Sequence, residues 1–156
     1  VAALEKGLIA ATLIAPPGEL KSIQAGYRRL VFFGNVLPEM SFTGLVATNR
    51  YIRENPKTVE RMIRAIVRGT YLARDDSVAA IGAMQSHMKM TPDEARETYR
   101  LIQKSFNPNL TEAGVRTTAE LVASSLGAKP MVEPKDYMDL SFLKRVLSDT
   151  LKNSAR

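Results

Sequence analysis

Side chains that could do chemistry are few in this chain. There is one histidine and no cysteine among 156 residues. A Ser-His-Asp triad or a His/Cys metal site is therefore hard to assemble. His87 falls between Met84 and Met88 on an expected helix and reads as a surface or boundary residue. The acid pairs Asp75-Asp76 and Asp93-Glu94 sit at expected helix ends, where capping and the helix dipole account for them. No phosphate-binding glycine loop of the GxxxxGKS or GxGxxG type is present. The expectation is no catalytic residue, no metal and no cofactor.

Two segments remain as candidate ligand contacts. Pro16, Pro17, Gly18 and Glu19 leave the end of an apolar run and open a helix, so the Gly18 and Glu19 amides could face an anion. The same residues read equally as a tight turn. Met40, Ser41, Phe42 and Thr43 combine two hydroxyl donors with two apolar walls, as small-molecule sites do. Phe42 also reads as a core residue. A third feature is a basic line, Lys57, Arg61, Arg64 and Arg68, at i, i+4, i+7 and i+11. It suits an anionic partner, or else the solvated side of an amphipathic helix. No aromatic residues interleave with it, which weighs against nucleic acid.

These segments need elements to position them. Leu8 to Ala15, Tyr27 to Phe33 and Gly44 to Thr48 are apolar runs that predict strands buried on both faces. Pro16-Pro17 stops the first, because proline cannot donate to a ladder. A helix is expected from Gly18 to Ala25, closed by Gly26, which makes a strand-helix-strand unit and a locally parallel sheet. From Asn49 on, the pattern is helical. Asn55-Pro56 opens a helix to Asp75 with the stripe Val59, Met62, Ile63, Ile66, Val67, and with the basic line opposite. A second helix follows from Ser77 with Val78, Ile81, Met84 and Met88. A third starts at the capping box Thr91-Pro92-Asp93-Glu94 and carries Ala95, Tyr99, Ile102 and Phe106. A fourth spans 111 to 126, with Val115, Ala119, Val122 and Leu126 aligned and Gly127 as C-cap. A linker covers 129–134, and a last helix covers 136–152.

The order of these pieces resembles the second half of a periplasmic solute-binding protein of the NMT1/THI5-like family, which serves nitrate, sulfonate, taurine and thiamine-precursor uptake. The pieces are Ala3-Leu4 with Gly7, the run Leu8 to Ala15 with Pro16-Pro17, then Gly26, Arg28 and Leu30, and finally Glu54, Asn55, Pro56, Val59 and Ala65. The resemblance covers about the first half of the chain. It implies an α/β fold, a periplasmic-binding-protein type II-like fragment with a short, mostly parallel sheet followed by a helix-rich C-terminal part. Residues 1–36 would belong to the second lobe, 37–48 to a crossover and hinge, and 49–156 to a helical return to the first lobe. The family's N-terminal half would precede Val1, which opens directly into what reads as a helix end.

The resemblance further implies a small solute, nitrate- or sulfonate-like or a pyrimidine, held between two lobes. It implies a membrane permease of an ABC importer as partner, and a periplasmic or lipid-anchored extracellular location. Two other classes stay open: an enzyme like the thiamine-pyrimidine synthases of the same fold, and a basic helical interaction or nucleic-acid module. Composition is that of a globular protein, 45% hydrophobic and 24% charged, with net charge +6. No apolar run approaches the roughly 20 residues of a membrane span. Self-association of the chain is expected, because surfaces that the other half would cover are apolar.

Overall fold

The computed structural model describes residues 2–37, 40–41, 43–128 and 133–154. Among them the chain is helical. The elements are α1 (Ala2–Glu5), α2 (Gly18–Gln24), α3 (Phe33–Val36), α4 (Asn49–Glu54), α5 (Pro56–Asp75), α6 (Ser77–Met88), α7 (Pro92–Ile102), a 3-10 turn (Gln103–Ser105), α8 (Glu112–Ser125), α9 (Pro134–Tyr137) and α10 (Ser141–Ser154).

The helices begin where local chemistry starts them. Thr48 accepts from the Tyr51 N–H to open α4, and Asp76 accepts from the Ala79 N–H to open α6. Thr91 and Glu94 exchange bonds in a full capping box, with Pro92 in the first turn of α7. Thr111 opens α8 by accepting from Gly114. The C-terminus of α8 is a Schellman motif. Gly127 has φ +64, its N–H donates to the Ser124 carbonyl, and the Ala128 N–H donates to that of Ala123. Only glycine adopts that φ without steric cost.

The expected α/β sheet is absent. No strand occurs among the described residues. Leu8 to Ala15, Tyr27 to Phe32 and Gly44 to Ala47 are irregular, and Phe33 instead begins α3. No main-chain N–H of 9–14 or 28–32 donates a hydrogen bond among the described residues. Most of their large side chains are exposed, Leu13 by 73% and Val46 by 90%, while Ile14, Tyr27 and Phe32 are half-buried. The physical reason is that apolar, β-branched composition suits a strand but does not make one. A strand needs a neighbour's donors and acceptors, and cover on its faces. Among the described residues these three runs receive no ladder partner and only partial cover.

The chain divides into two compact units, Val1–Phe32 with Leu72–Asn107, and Phe33–Tyr71 with Pro108–Arg156. The core of the first is Ala80, Met84, Met90, Ala95 and Tyr99, with Ala73, Ile81, Ile102 and Phe106 packed against it. It forms where α6 lies on α7, and α2 also contacts α7. Lys89 takes a left-handed conformation at the end of α6, and Met90 beyond it is buried in that core. The Tyr99 hydroxyl donates to the Arg74 carbonyl at 3.0 Å, so the ring is buried with its polar tip satisfied.

In the second unit, Val59, Val67, Gly114, Ala123, Phe142 and Val146 are buried, Val67 and Val146 almost completely. Arg64 donates to Glu60 and Asp149 at 3.0 and 2.9 Å. The Arg145 guanidinium stands 4.5 Å from the centroid of the Phe142 ring. Arg116 on α8 binds Glu133, the N-cap of α9, at 2.7 Å.

Candidate functional site

The first candidate segment is built around the start of α2. Pro17 occupies its N-cap without a side-chain cap. The Pro16–Pro17 peptide is cis. The Glu19 N–H donates to the Ala15 carbonyl at 3.3 Å, and the Lys21 N–H donates to that of Pro17 at 3.2 Å. Of the two amides that sequence nominates for an anion, Glu19's is thus engaged by the chain itself. A Cβ on Gly18 would come within 2.9 Å of the Ile14 Cγ2, so the close approach of Ile14 calls for glycine there. The Ser22 hydroxyl donates back to the Gly18 carbonyl at 3.0 Å.

Charge at this segment is already paired. The Glu19 carboxylate accepts from the Arg29 Nε, and the Arg29 guanidinium lies 5.6 Å from the Phe32 ring centroid. An incoming anion would compete with Glu19 for Arg29. Nearby, Lys21 pairs with Glu94 at 3.5 Å. The Glu94 carboxyl is held below the ordinary glutamate range, first by the Thr91 N–H that donates to it, with burial opposing and the Thr91 hydroxyl and Lys21 adding to the drop.

In the second candidate segment Met40 and Ser41 are held by their main chain. The Met40 N–H donates to the Leu37 carbonyl at 3.3 Å. The Ser41 N–H donates to the Gly114 carbonyl at 3.2 Å, and the Thr118 hydroxyl donates to the Ser41 carbonyl at 2.8 Å. Two successive turns of α8 therefore hold both the N–H and the carbonyl of Ser41. The Ser41 and Thr43 hydroxyls make no hydrogen bond among the described residues, and Thr43 is exposed. Phe42 lies outside the described residues. The first segment belongs to the first unit and the second to the other.

Gly114 and Thr118 are functional-site candidates that sequence reasoning missed. Nothing local marks them. Their roles depend on Ser41, which is 77 residues before Thr118 in the chain.

The other nominated residues fall into plain structural roles. His87 is exposed on α6. Asp76 caps α6, Asp93 pairs with Arg96, and Asp75 binds Arg74 at 2.7 and 2.9 Å, a contact that lowers the Asp75 carboxyl. The basic line does not hold together as expected. Arg64 does not face solvent opposite the apolar stripe. It turns to Asp149 and Glu60, whose hydrogen bonds raise its guanidinium above the ordinary value. Lys57, Arg61 and Arg68 are exposed and make no ion pair among the described residues.

Among the described residues no cluster of three or more His, Cys, Asp or Glu side chains could hold a metal, and no helix is long and apolar enough to cross a membrane. Comparison of the chain with protein-family models, with curated proteins and with solved structures finds no match.

Proposed function

We propose that the chain is a solute-binding component of an ABC import system. It works outside the cytoplasmic membrane, performs no turnover, and passes a small solute, nitrate- or sulfonate-like or a pyrimidine, to a membrane permease. The observation that carries this reading is the ordered series Ala3-Leu4, Gly7, Pro16-Pro17, Gly26, Arg28, Leu30 and Glu54-Asn55-Pro56, with Val59 and Ala65 following. The segment 40–43 supports it chemically. The main chain of Ser41 is held by Gly114 and Thr118, so its hydroxyl, which has no partner among the described residues, is offered to a ligand with little ordering left to be done on binding, and Thr43 adds a second, exposed hydroxyl. Hydroxyl donors suit the oxygens of nitrate or a sulfonate.

The test is a titration of the 15N-labelled chain with nitrate, taurine and propanesulfonate at millimolar concentrations, followed amide by amide. At least one solute should move the amides of Met40, Ser41 and Thr43 along a saturating curve. Ser41→Ala combined with Thr43→Val should weaken it. Shifts that do not saturate, or that spread evenly over the chain, contradict the reading.

A further inference from the structure

The basic line of α5 has lost Arg64 to an internal ion pair, yet three of its cations stay exposed and make no ion pair among the described residues. Lys57, Arg61 and Arg68 fall within about 40° of one another around the helix at 100° per residue. Next to this edge lies an apolar strip on the same solvent side. Met62 and Ile66 are both exposed, and Ala65 and Gly69 stand between and beside them at i, i+3, i+4 and i+7. That spacing is the seam of a helix meant to receive another helix. Among the described residues nothing calls for glycine at 69: a Cβ there would meet no atom within 4 Å, and glycine inside a helix is destabilising relative to alanine.

We infer that the solvent face of α5 docks an amphipathic helix of another protein, with an apolar seam over Met62 and Ile66 and Asp or Glu along the flank that meets Lys57, Arg61 and Arg68. Charge complementarity selects this occupant. A second copy of the chain also carries +6 and the same cationic edge, so an antiparallel pairing of the two faces sets like charges together. A lipid surface needs more insertable side chain than one methionine and one isoleucine around a small-residue centre. Nucleic acid has no use for the apolar strip. The inference is independent of the solute reading, since none of these residues belongs to 16–19 or 40–43.

The test uses two designed helical peptides with the same leucine seam, one flanked by glutamate and one by lysine, each followed by fluorescence anisotropy. The glutamate peptide should bind the chain, more weakly as salt is added, and the lysine peptide should not. Gly69→Leu should cost roughly tenfold or more in affinity while the unfolding midpoint stays level or rises, because leucine is the better helix former. That pair of readings separates lost docking from lost folding. Arg61→Glu with Arg68→Glu should reverse the choice of peptide. Equal binding of both peptides would overturn the inference, as would wild-type affinity in Gly69→Leu. So would tighter binding to phosphatidylglycerol vesicles or duplex DNA than to the glutamate peptide, or a dimer by light scattering that Gly69→Leu dissociates.

Discussion

Thr98 is 2% exposed on α7, and its hydroxyl has no hydrogen-bond partner among the described residues. A buried polar group without a partner is a cost, of about 1–3 kcal/mol where it has been measured. Valine has nearly the same shape and a similar helix propensity. Thr98→Val should therefore raise stability by about 1 kcal/mol, seen as a higher urea midpoint at unchanged slope. A loss of stability would mean that the hydroxyl has a partner, such as a bound water. Arg64 teaches a related lesson. Sequence periodicity put it on the solvent side, but a side chain that reaches Asp149, 85 positions away, answers to a contact that periodicity does not contain. Arg64→Ala should lower the urea midpoint more than Arg61→Ala does.

At the scale of elements, the helices from α5 to α8 were legible because a helix closes its hydrogen bonds within itself and advertises its ends. Asn55-Pro56, the box Thr91 to Glu94, and Gly127 are such signals, and each sits at a helix end. Which way a helix faces was less legible. The stripe Val78, Ile81, Met84, Met88 is apolar, yet Met84 is 7% exposed while Val78 and Met88 are 81% and 57% exposed. In α8 likewise, Val122 and Leu126 face solvent, whereas Gly114 and Ala123 are buried. Burial is decided by the neighbours, not by the stripe alone. Met84→Ala should cost about 2–5 kcal/mol, the range for a cavity in a packed core. Met88→Ala should change stability by no more than about 0.5 kcal/mol. Urea unfolding of the two variants decides it, and similar losses would contradict the core assigned to α6 and α7.

The start of α7 has a pH dependence. Glu94 is depressed in the folded chain, so its stabilising contribution is present above the unfolded glutamate value of about 4.3 and is lost as pH falls through the folded value. The Thr91 amide should report a titration midpoint below that of free glutamate, and Glu94→Gln should abolish the titration. A midpoint at or above the free value would contradict the capping box.

For the whole molecule, the strand runs were misread for a reason of scale. Leu8 to Ala15 has a strand's composition, but its ladder is a property of some other segment, and the sequence of the run says nothing about whether that segment is there. Of the candidate site, the segments 16–19 and 40–43 could be nominated from local chemistry. The engagement of Glu19 by Ala15 and Arg29, and the grip of Gly114 and Thr118 on Ser41, could not. The central claim about this chain is that folded helical units coexist with apolar runs that form no ladder among the described residues. Amide hydrogen exchange read residue by residue tests it most directly. The amides of 9–14, 28–32 and 44–47 should exchange near their intrinsic rates, while those of Met84, Ala95 and Tyr99 should be the slowest. Protection across two of those runs comparable to that of Tyr99 would mean that they form a sheet, and would contradict the account.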